Sequence, residues 1–458
     1  MLKTTKIKLS KHLGVTILLA MLLIECEVPQ SNAATTYQPN WTSVNSHPAV
    51  PEWFKDAKFG IYFHWGAYSV PAYRDAWYPC MINLQGKREN VYHIAHYGDP
   101  SVWPYHFFIN GANDVNGNWT KFEPKLKSAG GQWDPNEWAQ LFADAGAKFA
   151  GPCAEHHDGY SMWNSAVNPW NAMSKTGLDV VGQISDAIRR QHLKLVVTLH
   201  TAANVTGHFY YTNVSNYAPA QSMASGDKNL QRLYATMSKS EEYQYWYDKN
   251  IELIDKYQPD FMWHDMGLPG IPDSWKQRYL AYYYNKAMDW GKEVVVSYKI
   301  YDPNSFGNGA GEIADYERGG PTNLASPYWM TDDSISKETW AYSKGMTYYS
   351  TKSVLHALID KVSKNGNLLL NCAPMADAYE IKENFPLILK ERKIMTTTTY
   401  NKTAVPLSGF LVATGLLVAS AIALAGDAYP SVPIPDFKFA DGPFKPDWDS
   451  LAKYRCPE

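Results

Sequence analysis

The stretch "WDPNEWAQLFADAGAKFAGPCAEHHDG", residues 133–159, carries the pattern that decides the fold. Asp134 suits a helix N-cap, Pro135 suits the first turn, and Glu137 stands three residues after the cap, where a capping box has its acidic residue. Trp138, Leu141, Phe142 and Ala145 then share one face of the predicted helix. A short apolar strand, "KFAGPCA" (148–154), follows at once and ends in the polar "EHHDG" (155–159).

The same helix-then-strand unit recurs on the C-terminal side. "DVVGQISDAIRRQHL" (179–193) leads to "KLVVTLH" (194–200), and "EEYQYWYDKNIELIDKYQ" (241–258) leads to "PDFMWHD" (259–265). "WKQRYLAYYYNKAMDWG" (275–291) leads to "KEVVVSYKI" (292–300), and "KSVLHALIDKVSKNG" (352–366) leads to "NLLLNCAP" (367–374). A further strand, "KFGIYFHWG" (58–66), stands ahead of them all. Continuous apolar strands alternating with amphipathic helices imply a parallel sheet with helices packed outside it. An open doubly wound sheet would carry a Gly-rich phosphate turn, and none is found, so the expected fold is α/β, a (β/α)8-like TIM barrel.

Composition narrows the partners. A net charge of −3 over 458 residues, without a basic run, points to neither nucleic acid nor an anionic membrane surface. The 17 Trp and 32 Tyr suit sugar recognition, because an aromatic ring packs on the C–H face of a pyranose; they suit an aromatic core equally. Cys80, Cys153 and Cys372 are too few and too scattered for a disulfide framework or a zinc site.

Barrel chemistry gathers at the C-terminal strand ends. There stand His64, His156 with His157, His200, Asp265, Lys299 and Asn371. A metal centre is disfavoured because adjacent residues on a strand face opposite ways, so His156 and His157 converge only if the strand has already become a loop. A Ser or Cys nucleophile is disfavoured too: there is no G-x-S-x-G elbow, and no activating base is evident beside the cysteines. Glycoside hydrolysis needs two carboxyl groups, and Asp265 at the end of "PDFMWHD" is one candidate. Equally, it could cap the following turn at "MGLPG".

Five ordered stretches resemble the α-L-fucosidases of glycoside hydrolase family 29: "EWFKDAKFGIYFHWGAYSVPAY" (52–73), "AGAKFAGPCAEHHDGYSMWNS" (145–165), "PDFMWHDMG" (259–267), "DYERGG" (315–320) and "LIDKVSKNGNLLLNCAP" (358–374). The resemblance implies a (β/α)8-like barrel that hydrolyses terminal α-L-fucose with retention, and it puts Asp265 at the nucleophile position. It also implies that His64, His156, His157 and Trp263 surround the sugar. Trp65 lies in the same motif and is counted with the sugar-binding residues, although packing of the strand end suits it better. Trp77 and Tyr78 in "AWYP" resemble a family "EWY" and are expected at the rim. For the acid/base, Glu317 is preferred over Glu312, and Glu155 is the structural alternative. The substrate implied is a fucosylated oligosaccharide or glycoconjugate, and the reaction calls for no cofactor and no metal.

Departures from the family pattern are specific. Ala76 replaces a Glu before "WY", Lys299 stands where many members carry an Arg that reaches the sugar, and Met330 stands where Glu or Gln is common. After Pro374 the expected Gly is Ala378, and the C-terminal β-sandwich is expected to be missing. Residues 1–33 read as a secretory signal, 34–52 as a lead-in, and 53–394 as a barrel incomplete at its end. Residues 395–425 read as a second signal-like segment, with a membrane span over 407–425 as the less favoured reading. The tail, 426–458, resembles the start of another family member. Two expectations result: a secreted or periplasmic retaining fucosidase, or a truncated, catalytically impaired fucose-binding remnant.

Overall fold

The computed structural model describes residues 36–206, 224–307 and 309–378. The chain divides after Tyr37 into two units, and the architecture below is that of the second, from Gln38 onward. The readings of 1–33, 395–425 and 426–458, and of a missing sandwich, fall outside the described residues.

Eight parallel strands form the barrel: β1 (Phe59–Phe63), β2 (Phe149–Glu155), β3 (Lys194–Leu199), β4 (Phe261–His264), β5 (Val295–Lys299), β6 (Ile313–Asp315), β7 (Trp329–Ser334) and β8 (Gly366–Cys372). They run in the order β1-β8-β7-β6-β5-β4-β3-β2, and β1 closes the ring by pairing with both β8 and β2. The helices α1 (Glu52–Ala57), α2 (Pro135–Asp144), α3 (Val180–Arg190), α4 (Lys239–Tyr257), α5 (Asp273–Asp289) and α6 (Thr351–Ser363) accompany them. Asp134 caps α2 as its sequence predicts, accepting from the amides of Asn136 and Glu137. The reciprocal capping box is made instead at α4, between Ser238 and Glu241.

Two strands have no counterpart in the apolar pattern. β6 and β7 bury Asp315, Thr331, Asp332, Asp333 and Ser334, so they contain no hydrophobic run to read. Among the described residues, no helix joins β5 to β6 or β6 to β7 either. The barrel is therefore helix-poor along one arc, and that arc holds most of the charged interior.

The period-2 geometry of a strand sends alternate residues into the barrel. At the N-terminal end, Phe149, Val196, Phe261, Val295, Ile313, Met330 and Leu369 pack into one core. Phe54 of α1 plugs that end, with ring centroids 5.5 Å from Phe149 and 5.4 Å from Phe261. Gly60 is required there, since a Cβ would meet the Phe149 ring at 2.3 Å. Two residues further along each strand come Tyr62, Thr198, Trp263, Ser297, Asp315, Asp332 and Asn371. Continuing the count by two reaches His64, His200, Asp265, Lys299 and Glu317, so one register carries an apolar floor up to a polar mouth.

Candidate active site

His64, His156, His157 and His200 cluster on one side of that mouth. The ring of His156 lies 5.2 Å from His64, 4.4 Å from His157 and 4.5 Å from His200. The two adjacent histidines converge because β2 ends at Glu155, after a register shift between Cys153 and Glu155. His64 Nδ1 lies 2.7 Å from Asn371 Oδ1, and its Nε2 lies 3.3 Å from His200 Nε2. Burial pushes His64 down to about 4 and His200 well below its usual value, so both rings are neutral near pH 7.

Asp265 follows β4 directly. His157 donates through Nδ1 to the His200 carbonyl at 2.9 Å and faces Asp265 Oδ2 with Nε2 at 3.2 Å. Both nitrogens thus face acceptors. Burial alone would raise the Asp265 carboxyl; the His157 hydrogen bond, with His200 and the Lys299 ammonium nearby, outweighs it and holds the group well below the usual carboxylate range. The turn-capping alternative fails in detail, because the amide of Gly267 is taken by Asp302 Oδ2 at 2.6 Å.

Lys299 anchors the opposite side. Its buried ammonium lies 2.6 Å from Asp332, 3.0 Å from Asp315, 3.7 Å from Glu317 Oε2 and 4.0 Å from Asp265 Oδ1. It also sits 4.6 Å from the centre of the Trp263 ring, whose Nε1 donates to Asp315. Lys299 is thus the hub of a carboxylate cluster. Glu317 accepts from the Tyr301 hydroxyl at 2.8 Å and keeps 22% of its side chain accessible. Burial raises its carboxyl, Lys299 opposes, and Asp332 and Asp265 push it further up.

Several sequence expectations are corrected. Glu312 points to the outer face of β6, away from the register of Ile313, Asp315 and Glu317. There it accepts from Tyr284 of α5 at 2.8 Å, and burial pushes it up to about 8. Glu155 is fully buried, ion-paired with Lys249 and bonded to Ser161, and so serves structure. Trp65 packs against Phe122, Trp133 and Trp138 and donates to the Met375 carbonyl, so it stabilises the strand end. Tyr78 turns inward to His93, its hydroxyl 2.9 Å from Nδ1; only Trp77 of the pair approaches the mouth, 5.3 Å from His157. Cys153 does have a base beside it, His200 Nδ1 at 3.3 Å.

A family model described as Alpha-L-fucosidase matches residues 24–391. The chain belongs to the α-L-fucosidase family. Tissue α-L-fucosidase of Rattus norvegicus is 29% identical over 349 residues, covering 74% of this chain and 67% of that protein. The Homo sapiens tissue enzyme is 28% identical over 378 residues, covering 80% and 72%. Among solved structures, Thermotoga maritima α-fucosidase in complex with fucose superposes with a TM-score of 0.59 at 26% identity, covering 81% of this chain and 79% of that one. The chain is accordingly a glycoside hydrolase of the fucosidase type.

Within this fucosidase, sequence reading missed several residues around the mouth. Trp340 comes 5.9 Å from His64 ring to ring, and its carbonyl receives Asn371 Nδ2 at 2.7 Å. Tyr68 flanks His156 at 5.0 Å. Asp315 and Asp332 lie on the two strands that have no apolar run to mark them. Trp340 lies on a loop and Tyr68 in a single 3-10 turn, Ala67–Ser69, too short for a period to be read.

Proposed function

We propose that the chain is a retaining exo-α-L-fucosidase acting by double displacement on fucosylated glycans. The Asp265 carboxylate attacks the anomeric carbon while Glu317 donates its proton to the departing glycosidic oxygen. A covalent glycosyl-enzyme forms, and Glu317, now a carboxylate, deprotonates the water that releases fucose. The observation that carries this reading is the pairing of two carboxyl groups in opposite states across one ammonium. Asp265 is held ionised, whereas Glu317 is pushed toward its protonated form. The facing oxygens are separated by no more than their two distances to Lys299 allow, 4.0 Å and 3.7 Å, a bound that admits the ~5–5.5 Å of a retaining pair.

Neutral His64 and His200 can donate from one nitrogen and accept at the other, which suits neighbouring sugar hydroxyls. The Lys-rich start and apolar run of residues 1–33 support export to the periplasm or the medium. The test is hydrolysis of an aryl α-L-fucoside by wild type and Asp265→Ala, with the anomer released first read by NMR. Loss of about 10⁴-fold or more in kcat, with the α-anomer released by wild type, is expected. Equal rates, or release of the β-anomer, would sink the proposal.

A further inference from the structure

We propose that His64, Cys153 and His200 form a site for a borderline-soft divalent ion of the zinc class, and that an ion bound there blocks the pocket. One ligand atom from each residue lies within 4.8 Å of the others, and all three side chains are buried. Zinc bonds of about 2.0–2.1 Å to nitrogen and 2.3 Å to sulfur span at most about 4.4 Å across the ion, so closing the site takes only small movements. A thiol with two imidazoles selects zinc or cadmium over hard ions such as magnesium.

Hydrogen bonding prepares the donors. Asn371 Nδ2 donates to the Trp340 carbonyl and to Ser334 Oγ, which fixes its Oδ1 as an acceptor facing His64 Nδ1. The proton of His64 therefore sits on Nδ1, and Nε2 presents a lone pair. Asn371 is the kind of outer partner that orients a metal-binding imidazole. His200 then donates from Nε2 to His64 Nε2 and accepts the Cys153 S–H at Nδ1, each at 3.3 Å. Asp265 Oδ2 lies 3.9 Å from His200 Nε2, so the carboxylate borders the site. An ion held this way adds positive charge beside that carboxylate and takes the space for the sugar.

The proton balance gives the site a signature. Each imidazole keeps its one proton on the nitrogen that does not bind, and the thiol loses its proton to solvent, so one proton leaves per ion bound.

The fucosidase reading supplies only the activity readout; a cobalt titration tests the site independently. With the full-length chain, Zn²⁺ and Cd²⁺ should inhibit competitively against an aryl fucoside and Mg²⁺ should not. Cys153→Ser, scored against its own metal-free rate, should lose sensitivity about tenfold or more. Co²⁺ should give wild type a thiolate-to-metal charge-transfer band that the variant lacks, and Cys153→Ala replaces Ser where Ser does not fold. Equal inhibition of wild type and variant, or no such band in folded wild type at saturating Co²⁺, would overturn the proposal. If wild type proves inactive on the fucoside, the band still decides the site.

Discussion

Strands β8, β1, β2 and β3 deliver Asn371, His64, His156, His157 and His200 to the mouth of the barrel, whereas β4 to β7 deliver Asp265, Lys299, Asp315, Glu317 and Asp332. The histidine side depends on burial, which keeps the His64 and His200 rings neutral and able both to give and to receive hydrogen bonds. The carboxylate side depends on one ammonium, which offsets part of the cost of burying the acids. In the proposed mechanism recognition and bond breaking occupy different arcs of one ring, and His157 joins the arcs by facing Asp265.

The sharpest way to break this division is within the carboxylate arc. Glu317→Gln should lower kcat on a poor leaving group by about 10²–10⁴-fold. Glu312→Gln, at the residue directly before β6 and on its outer face, should stay within about twofold of wild type. The pH profile adds a sign: because Glu317 must carry its proton, wild-type activity should fall as pH rises through its raised pKa, and the Gln variant should lose that alkaline limb. Comparable losses for the two variants would mean the inner and outer faces of β6 are misassigned.

Lys299→Met should come next, in stability. Removing one partner from a buried ionic cluster costs about 3–5 kcal/mol, since the acids are left without their counter-charge. Denaturant unfolding should read this as a lower midpoint with an unchanged slope. His64→Gln on the other arc leaves no such charge. Its expected cost is about 1–3 kcal/mol in kcat/KM, the scale of losing a buried hydrogen-bonding group, with the unfolding midpoint much less affected than by Lys299→Met. If the histidine variant proved the less stable of the two, the contrast between the arcs would fail.

The same division explains what the sequence reveals. β1 to β5 and β8 are legible because their inner and outer faces are both apolar, and the site residues at their ends follow from where each run stops. β6 and β7 are illegible because Asp315 and Asp332 occupy inward positions that other strands fill with Thr198, Trp263 or Ser297. A buried carboxylate is tolerable there only because Lys299, from β5, reaches it, and that long-range pairing leaves no local pattern. His156 and His157 converge because the strand ends at Glu155, the one case in which neighbouring residues need not face opposite ways. The base beside Cys153 in the fold, His200, arrives from the neighbouring strand.

The smallest expected effect lies where the two arcs are tied together after β8. Ala378 is buried at φ 72, the left-handed region, in the position where the family pattern has Gly. Its amide closes a turn on the Met375 carbonyl, which also receives Trp65 Nε1 and so helps fix the end of β1 beside His64. A Cβ in that conformation costs about 1–2 kcal/mol. Glycine removes the clash but adds about 0.4–1 kcal/mol of unfolded-chain entropy to be lost on folding. Ala378→Gly should therefore stabilise by up to about 1 kcal/mol, a rise of about 2–4 °C in Tm. Activity should not change, because the side chain lies outside the mouth. A fall in Tm would show that the methyl group contributes more through packing than its backbone conformation costs.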